Sequence, residues 1–163
     1  CAMNPCKCGW FGHPSGRCRC TPAQVKRYLG KLSGPMLDRI DLFSEVPPLE
    51  FENLADRSPG EPSAAIRARV TKARERQSKR FGPDGPHCNA AMGQAEIRRF
   101  CALDDEGQAL MKGAYEHMGL TARSYDRILR VARTIADLDE SENIQTHHLA
   151  EAIQYRETEY FSV

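Results

Sequence analysis

Apolar residues recur at helical spacing through most of the chain beyond residue 60. From Thr121 to Leu138, Tyr125, Ile128, Leu129, Ala132, Ile135 and Ala136 follow i, i+3, i+4, i+7, i+10, i+11, which predicts a helix with one apolar face. PSAAIRARVTKARERQSKRF predicts another, with Ile66, Val70, Ala73 and Gln77 on one stripe, Pro62 near its start and Gly82-Pro83 as its stop. Shorter helices are predicted around QAEIRRFC, from about Asp104 to Met118, and from Thr146 to about Tyr155, with GPDGPHCNAAMG as a loop. Earlier in the chain, Thr21 as N-cap and Pro22 as first helical residue open a helix running to about Leu29. SGPMLDR reads as a short helical turn with Ser33 as its cap. IDLFSEV alternates imperfectly as far as Pro47-Pro48 and predicts a short strand. Residues 1–20 carry no period and read as a strand end followed by a knotted loop.

The break in this pattern lies at PPLEFENLADRSPGEP, residues 47–62, with four prolines and mostly acidic charge. A smaller β-containing part, residues 1–48, is therefore expected to join through a linker, 49–62, to an all-helical part, 63–163. Composition narrows the class. With 163 residues, 23 Lys and Arg against 22 Asp and Glu, and 40% hydrophobic residues, the chain is neither a disordered tail nor a uniformly basic nucleic-acid binder. No apolar run approaches the roughly 20 residues that span a bilayer. No charged-then-apolar leader precedes Cys1, so the expectation is a cytoplasmic protein without a membrane partner.

Seven cysteines, four of them within residues 6–20, fit disulfide pairing poorly. Cys6-x-Cys8 and Cys18-x-Cys20 are two tight pairs, and two short loops each offering two thiolates suit tetrahedral Zn²⁺. Gly9, Gly12 and Gly16 supply turns, and His13 is an alternative to one thiolate. Two disulfides or four unrelated thiols remain the competing readings. A zinc site with all four positions filled by protein is structural. Cys101, in RRFCAL, is expected to be a buried small hydrophobe; no role is assigned to Cys88.

Three further motifs, AMNP at 2–5, SGPMLDRIDL at 33–42 and LTARSYDRILRVARTIADL at 120–138, together with the cysteine loop, resemble the C-terminal half of the magnesium-chelatase-like AAA+ ATPases. The resemblance runs from Cys1 to about Arg156. It implies an α/β + α architecture: the C-terminal piece of an AAA+ core with a cysteine-rich zinc knot, then an all-helical lid. By the resemblance, Asn4 is the sensor 1 residue directed at the γ-phosphate or attacking water. Arg39, in LDRID, is the arginine finger reaching a neighbouring subunit's nucleotide, and Arg123 is sensor 2 on the lid. ATP and Mg²⁺ are the implied cofactors, with structural Zn²⁺ on Cys6, Cys8, Cys18 and Cys20. No G-x-x-x-x-G-K-[ST] occurs in the sequence. The phosphate cradle is therefore expected upstream of Cys1, and this chain alone is expected to hydrolyse nothing.

The cysteine loop favours the bacterial-competence branch of that family, whose members act as hexameric ATP-driven helicases migrating DNA branches, over the chelatase motors that act on a protein partner. A stand-alone zinc interaction module is a third reading. For DNA contact the residues leave two options open. Arg67, Arg69, Lys72, Arg74, Arg76, Lys79 and Arg80 are opposed within their helix only by Glu75. They fit either a phosphate-tracking stripe or a solvated face balancing acidic residues elsewhere. Arg123, Arg127 and Arg130 pose the same choice on the next long helix, and no aromatic-studded basic platform is evident.

Overall fold

The computed structural model describes residues 1–48 and 60–156. These fall into two separate compact units. In the first, α1 (Pro22–Leu29) begins where Thr21 and Gln24 form a reciprocal capping box, the Gln24 N–H donating to Thr21 Oγ1 at 3.3 Å. Val25 and Leu29 turn inward from α1 and join Cys6 as the buried core, flanked by Phe11, Tyr28, Cys18 and Cys20. The turn α2 (Gly34–Leu37) follows Ser33 at its N-cap position. Beyond it the predicted strand is absent: residues 40–46 form no ladder, and Leu42 and Val46 are 52% and 89% exposed. A strand satisfies its backbone only through a neighbour, and no strand occurs among the described residues to supply one. The α/β expectation is corrected accordingly: what is described is helical.

The second unit is organised around its most amphipathic element. In order it contains α3 (Ser63–Phe81), a 3₁₀ turn (Asn89–Ala91), α4 (Gln94–Phe100), α5 (Asp105–Met118), α6 (Ala122–Leu138) and α7 (Thr146–Gln154). Gly119, in the left-handed region at φ 59°, closes α5. Thr121 Oγ1 then caps α6 through the Ser124 N–H at 3.1 Å. The predicted apolar face of α6 packs as expected through Ile128, Leu129, Ala132 and Ala136, against Met92, Ile97, Cys101, Met111, Ile144 and Leu149. Burial pushes the Cys101 thiol up to about 11, so it behaves as a packed hydrophobe. The stripe on α3 is half realised. Ala73 and Gln77 are buried, while Ile66 and Val70 stay 40% and 45% exposed.

A polar cluster inside the helical unit went unforeseen. Asp137 is buried on α6 and forms a two-pronged pair with Arg80 of α3, Nη1 lying 2.9 Å from Oδ2 and Nη2 closer still to Oδ1. Asn89 Nδ2 donates to Asp137 Oδ2 at 2.8 Å and to Thr134 Oγ1 at 3.1 Å, and its Oδ1 accepts from Arg80. Arg133 lies 3.3 Å from Asp137 and spends its Nη donors on the carbonyls of Ser141 and Glu142, at 2.8 Å each. One carboxylate thus compensates two guanidiniums and ties α3, the 3₁₀ turn and α6 together. Asp137→Ala is expected to destabilise the unit by about 3–5 kcal/mol, because it strands both cations. Urea unfolding followed by the helical signal checks this; a loss below 1 kcal/mol would mean that the cluster contributes little.

No helix among the described residues is long and apolar enough to cross a membrane.

Candidate functional site

The two Cys-x-Cys pairs converge. Cys6 Sγ lies 3.4 Å from Cys8 Sγ and 3.8 Å from Cys18 Sγ, and Cys8 to Cys18 is 3.7 Å. Cys20 completes the group, with all four sulfurs within 4.8 Å of one another. A disulfide needs about 2.05 Å, and all seven cysteines are free thiols. Four sulfurs at about 2.3 Å from one tetrahedral ion stand about 3.8 Å apart, close to the spacing of the three pairs among Cys6, Cys8 and Cys18. The loop reaches this arrangement through tight turns, with Gly9 N–H donating to Cys6 O at 3.0 Å and Gly9 itself at φ 83°.

Backbone amides prepare two of the sulfurs, those of Cys6 and Cys8, to carry charge. The N–H groups of Trp10 and Arg19, helped by Cys6, pull the Cys8 thiol down to about 6. At Cys6, burial and Cys8 push upward, but the amides of Phe11 and Cys8 prevail and the thiol is lowered. At Cys18 the Cys20 amide pulls down and is outweighed by burial and by Cys8 and Cys6, leaving it raised to about 11; Cys20 is raised as well. Without a cation, four crowded sulfurs cannot all ionise. A divalent ion removes that conflict, so the donor set fits Zn²⁺. His13 is not in the group. Its Nδ1 accepts the Ser15 N–H at 3.0 Å, and its ring meets Trp10 edge-on at 4.9 Å.

A second cluster, Asp139 with His147 and His148, brings possible ligand atoms equally close. It fits a metal poorly. His148 Nδ1 accepts the Gln145 N–H at 3.0 Å, which places the ring proton on Nε2, where it points at Asp139 Oδ2 3.1 Å away. The nitrogen that would bind an ion is already donating.

The three residues singled out for phosphate chemistry are all exposed. Asn4 sits over the Gly9 turn, 3.8 Å from where a Cβ at Gly9 would stand. Arg39 follows α2, its Nη1 donating to Pro35 O at 2.8 Å. Arg123 lies in the first turn of α6, beside the Thr121 cap. Arg127 and Arg130 do not share its exposure: both are half-buried, and Arg130 Nη2 donates to Met92 O at 2.7 Å.

The α3 cations are largely engaged as well. Arg69 pairs with Glu61 at 2.7 Å, Lys72 and Arg76 with Glu140 at 3.3 and 3.5 Å, and Arg80 with the buried Asp137. The solvated, self-balanced reading of that stripe is the better one, and Arg80 leaves it altogether. On the cysteine loop, by contrast, the structure sets Trp10 beside Arg17, whose guanidinium lies 5.0 Å from the ring centroid.

Two family profiles match the chain: "Magnesium chelatase, subunit ChlI C-terminal" over residues 60–156 and "Magnesium chelatase, subunit ChlI" over residues 1–54. The chain therefore belongs to the magnesium-chelatase ChlI-like family. Among its relatives it is 45% identical over 158 residues to the Competence protein ComM of Haemophilus influenzae, covering 95% of this chain and 30% of that protein. It is also 45% identical over 157 residues to YifB of Escherichia coli, with the same coverage, and 35% identical over 157 residues to Mb2921c of Mycobacterium bovis, covering 96% and 31%. The chain spans about 30% of the length of these relatives.

Proposed function

We propose that this chain is the C-terminal portion of a ComM-like AAA+ ATPase, a cytoplasmic ring, expected to be hexameric, that couples ATP hydrolysis to DNA branch migration. The observation that carries the reading is the 45% identity to a competence protein across 95% of the chain. Residues 1–48 are the tail of the ATPase core, 49–62 the linker and 63–163 the lid. Cys6, Cys8, Cys18 and Cys20 hold a structural zinc ion; no vacant position is left on it, so its contribution is to fasten the loop. Asn4 is sensor 1: its neutral amide can both donate to phosphate and accept from water. Arg39 and Arg123 are permanent planar cations for the phosphates of ATP·Mg²⁺, Arg39 from the neighbouring protomer and Arg123 from the lid. The exposure of both guanidiniums supports these roles.

The family's name keeps a chelatase-type motor acting on a protein partner in view as a second reading. One measurement separates the two. The intact protein is expected to hydrolyse ATP faster when branched DNA is added and to dissociate the branch. ATP turnover indifferent to branched DNA would discard the helicase reading.

A further inference from the structure

Residues 1–37 contain Lys7, Arg17, Arg19, Lys26, Arg27 and Lys31 and not one Asp or Glu, in a chain that is otherwise charge-balanced. Three of these cations are set around the cysteine cluster. When the side chains at both ends of a Cys-x-Cys step turn toward one centre, the residue between them must turn away. Lys7 and Arg19 occupy those two middle positions, and both are exposed. Arg17 precedes Cys18 and lies over the indole of Trp10, whose edge is braced by His13. The indole nevertheless remains 36% exposed. It also borders a groove lined by Asn4, His13, Leu32, Phe43 and Glu45, which none of the three cations lines, so the cations stand on the rim of the loop rather than in the groove. An exposed tryptophan on a tightly turned loop, with one guanidinium at its ring and two further exposed cations on the same loop, has the two components of a single-strand binding surface: a flat apolar face for a base and cations for the flanking phosphates.

We propose that the cysteine loop binds single-stranded nucleic acid, Trp10 stacking on an unpaired base while Lys7, Arg17 and Arg19 contact the backbone. An acidic protein surface would satisfy the cations but leave the indole without a purpose, and a duplex offers no open base face. The inference rests on the zinc-fastened loop of the reading above and assigns DNA contact to this loop rather than to the α3 stripe, where it had been left open.

The chain has one tryptophan, so its fluorescence reports Trp10 alone. Titrating the zinc-loaded protein with oligo(dT) is expected to quench that emission. Three phosphate contacts predict a log–log salt slope of about −2. Trp10→Ala should weaken binding about tenfold, and Arg17→Ala should flatten the slope by about 0.7. Lys79→Ala, on α3, should change neither. Zinc content is measured for each variant, and the wild-type quench together with competition decides the matter even where a variant loses its metal. The proposal is overturned by an unquenched Trp10, by undiminished affinity in a metal-bearing Trp10→Ala, or by polyglutamate competing as well as oligo(dT). None of these results bears on ATP turnover, and loss of ATP-driven unwinding would not alter the Trp10 quench, so the two readings fail separately.

Discussion

Chelating the metal from the zinc-loaded protein is expected to unfold residues 1–48 while residues 60–156 keep their helices. The first unit has almost no core of its own. Among its described residues the buried ones are Cys6, Val25 and Leu29, and Cys18 and Cys20 are among the side chains packed around them. Three of the residues that make this core thus belong to the proposed zinc site. Burying Val25 and Leu29 contributes about 1.5–3 kcal/mol each, well below the apparent 10–16 kcal/mol with which structural zinc ties thiolates together. The second unit buries twelve residues around α6 and uses no such ligand. Hydrogen exchange should therefore show the amides of Gly9, Gly16 and α1 losing protection on chelation while α6 is unchanged. Cys18→Ser should reproduce that state, and Cys88→Ser, outside the cluster, should not. Full protection of α1 after complete metal loss would show that the loop holds itself without an ion.

How far the sequence foretold this depended on whether a residue's partner was local. The cap at Thr21-Pro22 was legible because N-caps are satisfied within four residues. The period of α6 was legible because one face of one helix carries it. The cysteine spacing placed the sulfurs together because the turns between them are short. Asp137 shows the limit. Its position on α6 is readable, but nothing local announces that Arg80, 57 residues earlier, supplies its partner. A partial signal existed: Arg80 falls three residues after Gln77 and seven after Ala73, on the buried stripe of its own helix. The segment at 40–46 failed for the opposite reason, since alternation predicts a face but not the neighbouring strand that a ladder requires. Lys7, Trp10, Arg17 and Arg19 all lie within residues 7–19, yet spacing alone does not say which cation meets the indole; the folded loop sets the Arg17 guanidinium 5.0 Å from its centroid.

Arg39→Ala in the intact protein is expected to leave nucleotide binding and folding nearly unchanged while turnover falls by about 10³–10⁵, the range for losing an arginine finger. The two halves of this expectation come from different observations. Arg39 is exposed and makes its hydrogen bond to Pro35 O, a carbonyl one turn back, so truncation removes little that holds α2 in place. In the proposed ring its guanidinium faces the neighbour's phosphates, where charge spreads during transfer, so its absence is felt in the transition state and hardly in the bound ground state. Arg39→Lys should rescue poorly, because an ammonium keeps the charge and loses the planar fork. Action across a boundary gives a sharper check. Mixing Arg39→Ala protein with protein disabled in its own phosphate cradle should restore part of the turnover, because some boundaries then join an intact cradle to an intact finger. Turnover within about twofold of wild type in Arg39→Ala alone, or no recovery on mixing, would remove Arg39 from that role and leave it a surface residue tied to its own turn.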